Sequence, residues 1–292
     1  MEYVINGTDL RKRFKGFTLD IPRLQIPQGF ATALIGENGA GKTTLMNLLA
    51  GIRLDYQGKI QYFRENAGID DEGVRERIGY TGPGNYYLPH WTVNQVKEVN
   101  ELLFQRFDPA VFKRLCRELA IPADPGKEVK TLSDGNRTKL MLAGVLARDT
   151  ELLILDEPAS PLDPLMRDKL CEMIREYLVS REGLRTVFFS THNVADMENV
   201  TDYAIIMEQG CIVEQGFVED LKEKYVLVKG EEQFARQAGP LLVSQTRSRM
   251  GFEGICLAER LDRLAGMQVA VEAPTLSQIC VAVMKAHSRL QF

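Results

Sequence analysis

Gly36-Glu37-Asn38-Gly39-Ala40-Gly41-Lys42-Thr43 fits the spacing G-x-x-x-x-G-K-S/T of a phosphate-binding loop. Glycines let backbone N–H groups turn inward around an anion, and the helix start behind them adds its dipole. Lys42 suits the β- and γ-phosphates of a nucleotide, and the Thr43 hydroxyl suits Mg²⁺. The cradle is read as Gly36, Glu37, Asn38, Gly39, Ala40, Gly41, Lys42, Thr43 and Thr44. A second group is Leu152-Leu153-Ile154-Leu155-Asp156-Glu157, where two carboxylates end an apolar run. Polar residues end many strands. Downstream of a phosphate loop, however, Asp156 has a metal to hold and Glu157 a water to polarise. A third group, Leu132-Ser133-Asp134-Gly135-Asn136, stands before a helix predicted over Arg137–Arg148. A hydroxyl with exposed N–H groups at a helix start binds phosphate, and a plain N-cap is the alternative.

The elements around these groups alternate between strand and helix. Phe30–Ile35 reads as a buried strand, and a helix over Lys42–Ala50 follows the glycine-rich turn. Lys59–Phe63 reads as a strand. Thr92 and Gln95 fit a capping box opening a helix to about Phe107. Asp108-Pro109 fits an N-cap and first turn for a helix over Pro109–Leu119, and Ile121–Gly126 is loop-like in composition. Strands at Leu152–Leu155 and Thr186–Ser190 flank a helix at Pro164–Val179, which is a crossover unit of a mostly parallel sheet. The pattern changes after about Tyr225. Strands are predicted at Tyr225–Lys229, Leu241–Gln245 and Met267–Val271, and helices at Leu257–Leu264 and Thr275–Ala286. Thr275 and Gln278 form a second capping box. Residues 226–292 are expected to be a small, separable α+β module with no catalytic set of its own.

The 292 residues are 45% hydrophobic and 26% charged, which excludes disordered, fibrous and collagen-like chains. A net charge of -4 argues against broad attraction to nucleic acid. The five cysteines lie far apart and contain no C-x-x-C pair, so reduced thiols are expected rather than a disulfide framework or zinc site. No apolar run approaches the roughly 20 residues of a membrane helix, and the start lacks a secretion-signal pattern. A soluble cytoplasmic protein is expected, with any membrane role exerted through a partner.

In their order, the phosphate loop, the Leu132–Asn136 pentad and the L-L-I-L-D-E-P run resemble the nucleotide-binding domain of an ATP-binding-cassette (ABC) ATPase over roughly residues 1–225. Ser160-Pro161-Leu162-Asp163 is similar to that family's D-loop, and His192 to its switch histidine. Phe14 stands where the family stacks an aromatic on adenine, although Tyr3 and Phe17 compete for that role. The resemblance implies an α/β fold: a phosphate-loop NTPase core with a mostly parallel sheet flanked by helices, an antiparallel β subdomain, a helical subdomain near residues 84–148 and the small C-terminal α+β appendage. It implies ATP and Mg²⁺ as cofactors, with Thr43 and Asp156 at the metal and Glu157 and His192 in catalysis. Ser133 and Gly135 would face the ATP of a second copy, or of a paralogous ATPase, in a head-to-tail dimer. Membrane-spanning transporter subunits are the implied partners, and the chain would sit at the cytoplasmic side of the membrane through them. A lone cassette with a short tail resembles bacterial antibiotic and peptide exporter ATPases.

Two positions depart from the family pattern. Asp134 and Asn136 replace its usual glycine and glutamine, and Pro83 falls where it carries a metal-approaching glutamine. The aromatic run Tyr86-Tyr87-Leu88-Pro89-His90-Trp91 suits either the docking of a membrane subunit's short helix or the core of the helical subdomain. The competing functions are a soluble ABC ATPase acting on ribosomes or DNA, and an ATP-binding switch with weak hydrolysis.

Overall fold

The computed structural model describes residues 1–288 apart from Asn66, Asn85, residues 123–126 and Glu182. Residues 123–126 of the expected Ile121–Gly126 loop therefore lie outside the described residues. The chain opens with β1 (Tyr3–Phe14) and β2 (Phe17–Pro27), then β3 (Ala31–Ile35), α1 (Lys42–Leu49) and β4 (Gln57–Tyr62). Next come α2 (Glu72–Glu76), β5 (Ile78–Thr81), α3 (Val93–Leu103), α4 (Pro109–Glu118) and α5 (Asp134–Leu146). The core continues through β6 (Leu152–Leu155), α6 (Pro164–Val179), β7 (Thr186–Thr191), β8 (Tyr203–Glu208) and β9 (Cys211–Phe217). The last part holds α7 (Val218–Lys224), β10 (Tyr225–Gly230), α8 (Ala235–Ala238), β11 (Leu242–Ser248), β12 (Gly251–Leu257), β13 (Val269–Glu272) and α9 (Leu276–His287).

Six strands form the central sheet in the order β5-β6-β7-β3-β8-β9, parallel except for β9. The fold is the α/β architecture expected, with two further antiparallel sheets, β2-β1-β4 and β11-β12-β10-β13. Both faces of the central sheet are buried, so its strands read as continuous apolar runs. Within β6, Leu152 and Ile154 point to a core shared with β1, β2 and α1, while Leu153 and Leu155 point to one shared with α6 and α9. A third cluster joins α3, α4 and α5.

Both predicted capping boxes form, at Thr92/Gln95 and Thr275/Gln278. The helix expected to reach Phe107 stops at Leu103. Phe104 turns extended and its ring meets the Arg148 guanidinium at 3.7 Å. Phe107 bridges to Arg148, and Asp108 N donates to Ala147 O, so pairing with the end of α5 overrides the local helical pattern. In the tail, the helix expected over Leu257–Leu264 is a 3₁₀ run at Ala258–Leu264, and β12 was absent from the sequence reading.

The appendage is built into the main core. Leu227 and Ile255 on one face of its sheet join α9 residues Leu276, Ile279, Cys280 and Val283 in the cluster that also holds Leu153, Phe189 and Ile206. Val228, Phe252 and Cys256 on the other face form a smaller cluster of their own.

Candidate active site

The phosphate loop leaves β3 and enters α1. Gly41 takes φ 107° as the residue before the helix, and a Cβ there would lie 2.8 Å from the Phe17 ring. A Cβ at Gly36 would lie 2.5 Å from Met207 O, so β8 allows only glycine at that point. Ala40 N donates to Glu37 O at 3.1 Å, closing the turn, and Gly39 stands in open space at φ 88°. Gly41 has no side chain to occupy the first-turn amides of α1, which leaves them directed at an incoming anion. Thr43 is exposed on that turn and Thr44 half-buried.

Lys42 is buried, and its Nζ donates to Gly36 O at 2.8 Å and Glu37 O at 3.2 Å. It also stands 3.5 Å from Glu157 Oε1. The other carboxylate oxygen, Glu157 Oε2, lies 2.7 Å from His192 Nδ1. Glu157 has φ 51°, a sharp turn off the end of β6. This brings residues from β3–α1, β6 and β7 to one point, as the crossover topology requires.

Asp156 is 4% exposed. Its Oδ1 accepts from the Ser190 hydroxyl, while its buried Oδ2 has no protein partner. A buried, unpartnered carboxylate oxygen suits a divalent cation, with the Thr43 hydroxyl as the second donor. Among the described residues no cluster of three or more His, Cys, Asp and Glu exists, so water and phosphate oxygens would complete the shell. Ser190 is the residue the sequence reading missed. It is fully buried in β7, donates to Asp156 and accepts from Glu157 N at 2.9 Å. The available signal was the hydroxyl pair Ser190-Thr191 after the apolar Val187-Phe188-Phe189.

A cleft of about 310 Å³ runs from Asp156 and Glu157 past Pro83 to Asp134 and Arg137 at the start of α5. Ser133 is exposed and its Oγ caps α5 by accepting from Asn136 N at 3.3 Å. The neighbouring Asp134 lines the same cleft as Asp156 and Glu157. Gly135 packs against the loop after Glu157, since a Cβ there would meet Pro161 O at 3.0 Å.

Phe14 lies at the tip of the β1–β2 hairpin, exposed, with Lys12 Nζ and Arg53 Cζ within 5.4 Å and 5.2 Å of its ring. It contacts Phe17 at 6.2 Å between centroids, and Phe17 in turn abuts Gly41. Tyr3 pairs with Pro27 at the far end of the hairpin, which removes it from the phosphate loop. Tyr87 and Trp91 pack in the helical cluster, whereas Tyr86 and Leu88 are exposed.

The sequence profile of the ABC transporter family matches residues 19–160. An ABC transporter ATP-binding protein of uncharacterised role from Nostoc sp. is 31% identical over 232 residues, covering 75% of this chain and 68% of its own. A thiamine import ATP-binding protein from Haemophilus ducreyi is 31% identical over 190 residues, covering 64% and 88%. In fold, the chain is similar to a dimeric ATP-binding cassette solved in a post-hydrolysis state with ADP and Pi. The TM-score is 0.63 at 15% identity, over 73% of this chain and 98% of that one. With Lys42 of the phosphate loop and His192 both meeting Glu157, beside Asp156, the chain belongs to the family of ABC transporter ATP-binding proteins and is an ATPase.

Proposed function

We propose that this chain powers an ABC transporter whose membrane-spanning subunits are separate chains, and that two copies close head to tail around two ATP molecules. The observation that carries the reading is the convergence of Lys42 and His192 on the two oxygens of Glu157. Glu157 is the general base that takes a proton from the attacking water. His192 holds its carboxylate in place and can share the proton. Lys42 leaves its loop carbonyls for the β- and γ-phosphates, and the loop amides neutralise the developing charge. Asp156 and Thr43 hold Mg²⁺, which supplies charge neutralisation on the phosphate oxygens when bound. Phe14 stacks on adenine, with Lys12 and Arg53 as its cationic rim.

The dimer reading is supported by Ser133 and Gly135 at the start of α5, where Ser133 is exposed and a partner's phosphate has access to the helix N-terminus. The membrane-subunit reading is supported by a groove of about 490 Å³ between the core and the helical region, lined by Ile52, Tyr80, Tyr86, Phe104 and Met141. Tyr86 and Ile52 are about half exposed at its edge (50% and 54%), which suits an apolar helix from a partner. No helix among the described residues is long and apolar enough to cross a membrane.

Glu157→Gln tests the proposal. Hydrolysis should fall by roughly 10²–10⁴-fold, the range for a lost general base, while ATP binding persists. With ATP and Mg²⁺ the variant should elute as a dimer in size exclusion. Adding Ser133→Arg should return it to a monomer. A Glu157→Gln protein that stays monomeric at saturating ATP would overturn the head-to-tail closure of the isolated chain.

A further inference from the structure

Glu157 and His192 follow neighbouring strands, β6 and β7, and the turn after each must hold its register for the pair to meet. Arg167, in the first turns of α6, reaches both. Its Nε donates to Leu162 O at 2.9 Å and to Ala159 O at 3.3 Å, in the turn that follows Glu157. Its Nη1 donates to Asp196 Oδ1 at 2.8 Å, four residues after His192. The pair is largely withdrawn from water, with side-chain exposures of 28% and 17%, so this charge-assisted tie is stronger than a surface ion pair. An arginine is needed for this geometry, because one planar fork bonds carbonyls on one edge and a carboxylate on the other.

The far side of the His192 turn is held differently. Val194, Met197 and Val200 are buried against the cluster containing Leu276, Ile279 and Cys280 of α9. Glu198 Oε1 accepts from Leu276 N at 2.9 Å. That apolar floor fixes how deep the turn sits, while the Arg167 fork fixes its register against the turn after Glu157. We propose that Arg167, with Asp196, is a positioning residue that keeps His192 Nδ1 on Glu157 Oε2 during hydrolysis. The inference rests on the catalytic roles proposed for Glu157 and His192. It adds that the geometry of the pair is set by a side chain that touches neither substrate nor either catalytic group.

The test uses the full chain with Arg167→Ala, Arg167→Lys, Asp196→Asn and His192→Ala, and Arg167→Ala combined with His192→Ala. Arg167→Ala should lower kcat by about 10–100-fold, the scale of a small misplacement of catalytic groups, with the KM for ATP within about twofold of the parent. Arg167→Lys should recover part of the loss, since an ammonium reaches only one of the two turns at a time. On a His192→Ala background, Arg167→Ala should cost less than about twofold more, because residues acting as one unit are not additive. A kcat within about twofold of the parent for Arg167→Ala, or full additivity with His192→Ala, overturns the inference. So does a loss confined to melting temperature and ATP affinity, which marks Arg167 as fold support only. If Arg167→Ala lacks a cooperative melt, Asp196→Asn keeps the shape without the charge and is read by the same criteria. If His192→Ala and Glu157→Gln themselves leave turnover unchanged, the site reading fails, and that outcome is distinct from failure of the tie alone.

Discussion

Ser190 Oγ joins the two carboxylate residues of the site: it donates to Asp156 and accepts from the backbone N–H of Glu157. One hydroxyl on β7 therefore ties both Asp156, proposed to face the metal, and the backbone at Glu157, the proposed base. Ser190→Ala leaves a buried acceptor and a buried donor without this partner, a penalty of about 1–3 kcal/mol. Turnover is expected to fall about 10–100-fold while ATP binding, measured with a fluorescent analogue, remains. Unchanged steady-state turnover would remove Ser190 from the site.

Gly36→Ala should act on binding rather than on chemistry. The new methyl would meet the Met207 carbonyl, which is backbone and cannot yield without moving β8. Lys42→Ala removes the cation held by Gly36 O and Glu37 O. Both variants are expected to weaken ATP binding by about tenfold or more, from the loss of charge-assisted hydrogen bonds. Equilibrium titration of folded protein checks this, and parent-like affinity in either variant would contradict the phosphate-loop assignment.

Glu208 gives the chain a pH-dependent stability term. It ends β8, is 8% exposed, and its Oε2 has no protein partner. Burial first, and then the charge of Glu37, push its carboxyl above the ordinary value of 4.5. A raised carboxyl favours the protonated form in the fold. The stability it contributes is thus present below pH 4.5 and lost as pH rises through the folded value. Glu208→Gln should raise the melting temperature by about 2–4 °C at neutral pH. The gain should vanish near pH 4. A calorimetric scan showing an equal gain at both pH values would rule this out.

Truncation after Lys224 should not give a stable cassette, despite the change of sequence pattern there. It would strip Leu276, Ile279, Cys280 and Val283 from the core face of β8 and from the turn behind His192. The milder Ile279→Ala should cost about 2–5 kcal/mol in denaturant unfolding. Burial also pushes the Cys280 thiol up to about 12, so alkylation of Cys280 at neutral pH should follow global unfolding. Fast labelling of Cys280 in the native chain would show that α9 detaches.

The sequence by itself determined the features whose geometry is local. Gly36, Gly41 and Lys42 lie within one strand–turn–helix, and their spacing marks the loop. Thr92 with Gln95, and Thr275 with Gln278, close their capping boxes across three residues. Asp108 and Pro109 open α4 for the same reason. The apolar run before Asp156 marked a buried strand, because both faces of a covered parallel sheet are dry. The tertiary structure alone decided what meets across the chain. Ser190 became a site residue because β7 lies beside β6, 34 positions away in sequence. Arg167 reached Asp196 because α6 crosses back over the turn that follows β7. Phe104 left its helix because Arg148 offered a guanidinium to its ring. The appendage joined the catalytic core through α9, whose pattern marks an apolar face but not the surface it will cover. Short-range bonds and dihedral preferences can be read from neighbours in sequence, whereas register between crossing elements is set by the packing of the whole core.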